Sequence, residues 1–589
     1  MNSRSPYLVT KALKTFMWGS ILAAVSAQVA TTTDAIVVSN LIGPDAISAI
    51  NLMMPVLTLF SALMILFGIG ASVVAAKAIG RRDETEANGV FTSAILTSFT
   101  SGVVLAGIVF FFSENIVDAL TGGNLAIYNL ALSYLRAMCV AIPFLMMAGV
   151  IENFVKTDGN PKLVMIAVIS GSVLNLILDI VFVKFLGLGI AGSAWATGLN
   201  YVVAILICLL HFKKSTNSLK WHVERNKLNY YVKQSIAQGL PMSINSLFLG
   251  GCIMLINYIV LGAQGADGIY CWSVCMQIFM IMQMVLAGIG SSIYAIGGIM
   301  TGEQDMEGLS ILNRKCLAYT CGSLSVITIA IILFPEFFGE LFGSRSNDPI
   351  GFLPVALRAF SIMLVPYAMV ALLRATYQIL GRIRLSLFLS VFQLLLMVGF
   401  VWGFSYISPI VLWWGFPSSS VILLIGLISY TLALHFKDKN IGAFSLIPKG
   451  ENSDSLSFSV KIDKESVGEA DKKIAEFLKD RNLDDFTVYR VRLSCEELMS
   501  NIVEHAITKR PEKHFFDIHI RIDKDNVKVL IKDDGRPFNP VIREENVKIQ
   551  SDDPSEKIGL KIVNSTTESI DYKYMYNQNV AMLKFQRNK

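Results

Sequence analysis

The chain has 589 residues, of which 53% are apolar and 16% charged, against about 25% charged in a soluble protein. With a mean hydropathy of +0.55, it has more apolar surface than a soluble globule of this size can hide. It therefore reads as a polytopic membrane protein, and disorder, collagen and small disulfide scaffolds are excluded. The net charge of +5 is small and gives no case for nucleic acid. None of the eight cysteines has a CxxC spacing, so buried, inert thiols are expected. No cleavable signal peptide is expected, because the apolar stretch after Lys11 and Lys14 is too long and further spans follow.

A helix needs about 20 apolar residues to cross hydrocarbon. Spans are predicted near 13–39, 47–77, 90–112, 130–151, 163–184, 190–212, 236–261, 269–299, 316–334, 356–379, 386–408 and 411–436, twelve in all. One set of loops carries Lys77, Arg81 and Arg82; Lys156 and Lys162; Lys213, Lys214, Lys220, Arg225, Lys227 and Lys233; Arg314 and Lys315; and Arg374, Arg382 and Arg384. The loops at 41–45, 113–124 and 263–268 have no Lys or Arg. The positive-inside rule then puts both termini in the cytoplasm of a plasma membrane, in accord with an even number of spans.

The apolar region repeats. Gly43-Pro-Asp45-Ala-Ile47 recurs as Gly265-Ala-Asp267-Gly-Ile269, and Gly159 recurs as Gly381, both at an offset of 222 residues. Gly68-Ile-Gly70-Ala-Ser72 recurs as Gly288-Ile-Gly290-Ser-Ser292, and Gly80-Arg-Arg-Asp83 more loosely as Gly302-Glu-Gln-Asp305. Two halves of six spans insert the same way up, related by a pseudo-two-fold axis along the membrane normal. The expected divisions are 1–225 and 226–440 for the halves, 441–455 for a linker and 456–589 for a soluble domain.

Acids inside spans are costly and mark function by default. Asp34 lies in the first span, within Thr31-Thr-Thr-Asp34, and Asp179 in the fifth, within Asn175-Leu-Ile-Leu-Asp179. Asn175 and Asp179 are four apart and share a helix face. Such a carboxylate can hold a proton at raised pKa or coordinate Na⁺ through oxygen. The alternative is that either acid caps a neighbouring helix or sits at the water interface. Asp45, Asp158 and Asp267 are expected to be turn residues. The methionines and aromatics at Met53, Met54, Met276, Met280, Tyr270 and Trp272 suit either a greasy cavity or helix packing.

The six-plus-six repeat, the Gly80-Arg-Arg-Asp83-Glu loop, the Thr157-Asp-Gly-Asn-Pro161 loop and Asn175-Leu-Ile-Leu-Asp179 followed by Gly189-Ile-Ala-Gly-Ser-Ala-Trp-Ala-Thr197 resemble the multidrug and toxic compound extrusion (MATE) family over roughly 10–440. The resemblance implies export of bulky, amphiphilic or cationic small molecules in exchange for H⁺ or Na⁺. It also assigns Asp34, Asn175 and Asp179 to a cation or proton site in the first half. Two features depart from it. Ser291-Ser-Ile-Tyr-Ala-Ile replaces a frequent Gln-Pro pair, and neither 236–261 nor 356–379 contains Asp or Glu. No ion site is therefore expected in the second half.

The soluble tail lacks GxxxxGK[ST], which excludes a P-loop ATPase and an ABC exporter. The helical segment 486–506 contains Glu496-Glu497-Leu-Met-Ser-Asn501. Glu497 and Asn501 share a face, suiting a base beside a Mg²⁺ ligand. The predicted strand Val527–Ile531 runs into Lys532-Asp533-Asp534-Gly535, where an Asp can accept from an adenine amino group. After a polar lid of about twenty residues, Lys557-Ile-Gly559-Leu560 opens a helix whose N–H groups can meet phosphate. Two strand patterns, Ser569–Met575 and Val580–Phe585, close the chain.

This order resembles the GHKL ATP-binding fold of sensor histidine kinases, gyrase and anti-sigma serine kinases, over about 456–589. The resemblance implies Mg-ATP as ligand, Glu497 as catalytic base, Asn501 as Mg²⁺ ligand, and Asp533, Gly535, Lys557 and Gly559 around the nucleotide. Lys557 stands where one more glycine is usual.

The expected fold is an all-α membrane bundle of 12 helices followed by an α/β sandwich. The first functional expectation is a bacterial cation-coupled multidrug antiporter with a cytoplasmic regulatory ATP-binding domain. Its surroundings are lipid and small-molecule substrates, with no nucleic acid. The second is a membrane-tethered anti-sigma-like serine/threonine kinase, sensing through the bundle and acting on a soluble anti-sigma-antagonist-like partner.

Overall fold

The computed structural model describes residues 4–121, 125–214, 217–222, 224–341, 352–449, 454–481, 483–506, 513–541 and 554–587. The first half comprises α1 (Tyr7–Ile42), α2 (Pro44–Arg81), α3 (Glu84–Phe111), the short α4 (Ser113–Thr121), α5 (Leu125–Thr157), α6 (Pro161–Asp179) and α7 (Gly189–Leu209). The second comprises α8 (Leu228–Val285), α9 (Gly298–Glu303), α10 (Met306–Leu333), α11 (Pro335–Leu341), α12 (Leu353–Ile379), α13 (Ile383–Ser405) and α14 (Gly415–Lys437).

Among the described residues, eleven continuous helical stretches are long and apolar enough to cross a membrane. The twelve predicted spans become eleven because the seventh and eighth join through α8, which bends at Gly265 (φ 62°, ψ −145°). That backbone is open to glycine. Asp267, expected in a turn, is instead an exposed residue of α8 beside the bend, and Asp45 lies in the first turn of α2. The repeat extends to backbone geometry. Gly43 and Gly265 both have positive φ, as do Gly159 and Gly381. Arg82 and Gln304, again 222 apart, take φ values of 62° and 61°. The next residues, Asp83 and Asp305, cap α3 and α10 by accepting from Glu86 N and Gly308 N, each at 2.9 Å.

The halves meet tightly at the end that carries the basic loops, called here the inner end. A Cβ at Gly70 would collide with the Ser235 carbonyl oxygen, and one at Gly239 with that of Leu66. Gly80 stands likewise against Ile299, and Gly302 against Lys77. Towards the opposite end, a Cβ at Gly43, Gly251, Gly262 or Gly265 would meet nothing within 4 Å.

The predicted linker is packed rather than loose over its described part. Leu446 and Ile447 are buried against the bundle. Tyr377 donates its hydroxyl proton to Phe444 O (2.8 Å), and Ile441 pairs with Pro448. Small polar residues predicted a tether, and two buried aliphatic side chains make it a strap.

The soluble domain runs β1 (Ser455–Lys461), α15 (Lys464–Lys479), α16 (Asp485–Asn501), β2 (Phe515–Ile522), β3 (Asn526–Asp533), α17 (Pro554–Thr566), β4 (Ser569–Met575) and β5 (Gln578–Gln586). The strands form one antiparallel sheet of order β1-β2-β3-β5-β4. Period-two alternation sends Phe516, Ile518, Ile520, Val527, Val529, Ile531, Leu583 and Phe585 into one core with Ile474, Leu478, Val491, Leu498 and Val563 of the helices. The opposite face, with Asp517, His519 and Lys532, turns toward the bundle. The predicted lid falls largely at 542–553, outside the described residues.

Candidate functional site

The first-half acids converge where α1, α6 and α7 pack. Asp34 is half-buried and accepts from Ser193 Oγ of α7 at 2.9 Å. Asp179 is fully buried at the end of α6, where the chain enters a π-helical turn, Ile180–Phe185. Its carboxyl faces Asp34 and Ser193, yet neither of its oxygens has a donor in bonding geometry. Asn175, one turn earlier and also buried, leaves its Nδ2 without a partner. Two facing carboxylates repel each other, and a proton or cation shared between them would relieve that repulsion.

Thr31, Thr32 and Thr33 do not serve the acids. Each hydroxyl bonds back to its own helix, on Ala27 O, Gln28 O and Val29 O. The hydroxyl at Asp34 comes from Ser193. Sequence reading missed the role of Ser193 and the charge of Glu152 in α5, and it counted Arg374 as a loop residue, whereas Arg374 lies inside α12 at the repeat position equivalent to Glu152. Arg374 is buried with Nη1 unpartnered. The 222-residue offset would have paired them. In the second half, the Ser291–Ile296 stretch that departs from the family pattern starts just after one π-helical turn, Leu286–Gly290, and runs into a second, Ile293–Gly297. Asp158 is buried in its loop, where it takes His211 Nε2 (2.7 Å) and Ser218 N (3.0 Å).

In the tail, Glu497 and Asn501 lie a turn apart near the end of α16. Asn501 Nδ2 is buried and unpartnered. Gly559 of α17 packs directly on the Glu497 carboxylate, and a Cβ there would collide with Oε2. Asp533 Oδ1 accepts from Gly535 N and Asn579 Nδ2, both at 2.8 Å. Burial pushes the Asp533 carboxyl up to about 6, against the pull of those two donors. Tyr572 OH and Asn579 Oδ1 both take Phe538 N, which fixes the chain leaving Gly535. The fold thus groups Glu497 with Gly559, and Asp533 with Gly535. The Lys557 side chain lies outside the described residues.

A MatE family model matches residues 20–181, and a histidine kinase-like ATPase domain model matches residues 460–585. The chain thus joins a region that matches the MatE model to a region that matches the histidine kinase-like ATPase model. The "Probable multidrug resistance protein YoeA" of Bacillus subtilis (strain 168) is 24% identical over 457 residues, 73% of this chain and 96% of that protein. "Multidrug export protein MepA" of Staphylococcus haemolyticus (strain JCSC1435) is 24% identical over 248 residues, 42% of this chain and 54% of that protein. The chain thus spans about half the length of MepA. Among solved structures, an outward-facing multidrug resistance MATE family transporter of the MOP superfamily superposes with a TM-score of 0.66 at 23% identity. The match covers 72% of this chain and 97% of that one, and it establishes the membrane fold. The bundle around Asp34 and Asp179 is therefore MATE-like, and the sheet and helices around Asp533 form the ATPase-like unit.

Proposed function

We propose that the chain exports amphiphilic or cationic small molecules in exchange for H⁺ or Na⁺, with the tail, on the cytoplasmic side, as a nucleotide-binding regulator. The observation that carries this reading is the buried Asp179 carboxyl beside Asp34, with no donor on either oxygen. Such a site gains most from a proton or cation. Its loading removes charge from a dry interior, so the bundle state with the site occupied differs in free energy from the empty one. The export activities in the names of YoeA and MepA support this reading. It is tested by ethidium efflux from cells making the chain. Export is expected while the ion gradient stands and is expected to stop when an ionophore collapses it. Efflux indifferent to the gradient would contradict coupling.

In the tail, Asp533 would read the adenine amino group, with Gly535 beside the base. Asn501 would hold Mg²⁺ and Glu497 would orient the attacking group. Bound Mg-ATP would supply a transferable phosphoryl group. Asp533 must be ionised to accept two bonds from donors and one more from adenine. Because burial raises its pKa to about 6, protonation below pH 6 is expected to weaken nucleotide binding. The dissociation constant of a fluorescent ATP analogue should rise about 10-fold between pH 7.5 and pH 5. A flat profile, or Asp533→Asn binding as tightly as the parent, would remove Asp533 from the site.

A second reading, a tethered serine/threonine kinase, draws on the position of α16 and α17. They lie on the sheet face turned away from the bundle, open to a soluble protein. Phosphorylation of a partner by the intact chain in Mg-ATP would favour it.

A further inference from the structure

The sheet face opposite its helices is neither bare nor apolar. One cross-strand row reads Ser459, Asp517, Lys532, Val580, Lys573, and the next Ser457, His519, Leu530, Met582, Asp571. Asp517, His519, Lys532 and Lys573 are buried, which for charged side chains requires partners. For Asp517 and Lys532 the partners come from the inner end of the bundle, while His519 pairs with Ser457 of β1.

Arg4, just ahead of α1, donates from Nε to Asp517 (2.9 Å) and from Nη1 to Asp305 of the second half (2.5 Å). Lys532 Nζ donates to Glu303 (2.7 Å) and lies 3.7 Å from Asp305. Although burial opposes it, Arg4 and Lys532 hold Asp305 well below the usual carboxylate range. The first half is held with the opposite polarity. Asp571 meets Arg82 at 3.5 Å, and the Tyr576 hydroxyl donates to Thr157 O (2.9 Å) and Lys156 O (3.1 Å). Gly159 leaves room for this turn, since a Cβ there would stand 3.0 Å from Met575 Cα.

The docked domain therefore touches both halves at the end where their backbones already press together. The start of α1 in turn touches the candidate nucleotide loop of that domain. Asp534, between Asp533 and Gly535, takes Lys11 Nζ (2.5 Å) and Tyr7 OH (2.7 Å) from the start of α1, with His514 at 2.9 Å. The helix so held is the one that carries Asp34.

We propose that the ATPase-like domain is a clasp: its charged sheet face binds the inner ends of both bundle halves at once and holds them closed, and the Asp533–Gly535 loop links nucleotide occupancy to that grip. The proposal rests on the transport reading in one respect, that the halves must part at the inner end during a cycle. Glu303 and Asp305 belong to one half and Arg82 to the other, so parting them pulls Lys532 or Asp571 off its partner. By reciprocity, whatever nucleotide does to the grip, the grip does to nucleotide affinity.

The test uses the full chain in lipid nanodiscs with Ala76→Cys as reporter. Ala76 is buried in the seam, and a Cβ at Gly298 would stand 2.7 Å from its own. Labelling by a water-soluble maleimide, less the background of the native cysteines, is expected to be slow. Lys532→Glu should speed it at least 10-fold, and Glu303→Lys combined with Lys532→Glu should restore most of the slow rate. Tyr576→Phe, which keeps the ring and loses two hydrogen bonds, should speed it 2- to 5-fold. A non-hydrolysable ATP analogue with Mg²⁺ should change the parent rate at least 3-fold. Labelling that is equally slow in Lys532→Glu and Tyr576→Phe would overturn the clasp, and a rate blind to the analogue would overturn the nucleotide link. Labelling needs no transport. Tail-dependent labelling in a chain that exports nothing would sink the transport reading and leave the clasp standing.

Discussion

Asp179→Asn is expected to abolish ethidium export, with at least a 10-fold loss of initial rate, while leaving the protein as stable as before or more so. Asn has the shape of Asp but can neither take up a proton near neutral pH nor neutralise a cation. The parent carboxyl is fully buried and has no donor on either oxygen. Replacing it removes a group whose charged form is costly there, and the new amide can donate to Asp34. The gain in stability is up to about 1–3 kcal/mol. Export and thermal unfolding of the solubilised chain should therefore move in opposite directions. A variant that loses both would mark Asp179 as a structural residue, and one that exports normally would remove it from the mechanism.

The second large effect is expected at the seam. Gly239→Ala puts a Cβ against the Leu66 carbonyl oxygen, and Gly70→Ala puts one against that of Ser235. Alanine improves helix propensity by about 1 kcal/mol, but the obstructing atoms are backbone and cannot rotate away. Forcing the helices apart costs about 1–3 kcal/mol, so each change should lower the unfolding temperature and speed labelling of the seam reporter. Gly251→Ala, which meets nothing within 4 Å, is the matched control and should be neutral or slightly stabilising. Equal behaviour of all three variants would mean that α2 and α8 do not pack there as described.

Much of the fold was legible because it rests on periodic signals. Apolar runs marked the spans, and a 222-residue repeat marked the halves so well that Arg82 and Gln304 share a backbone conformation. The strands at Ser569–Met575 and Val580–Phe585 followed from alternation. The single helix across Gly265 was not legible, since glycine there suits a turn as well as a bend within continuous helix. Asp34, Asn175 and Asp179 could be picked out because a carboxylate in an apolar run is rare. Ser193 could not, because nothing in a Gly-Ile-Ala-Gly-Ser run tells which hydroxyl faces an acid. The clasp was hidden for a related reason. Asp517, Lys532 and Asp571 alternate with apolar residues as the polar side of any solvated strand does, and only the tertiary arrangement shows Arg4, Glu303 and Arg82 against them. The packed strap at 446–447 escaped for want of length, since two aliphatic residues make no periodic pattern.

The most direct measurement places the purified full chain in sealed liposomes and follows ethidium movement under an imposed H⁺ or Na⁺ gradient, with and without Mg-ATP. Movement is expected whenever one of the two gradients is present, at a rate that nucleotide only adjusts, and none is expected with ATP alone. Dye movement that requires ATP and ignores both gradients would contradict a bundle driven from Asp34 and Asp179.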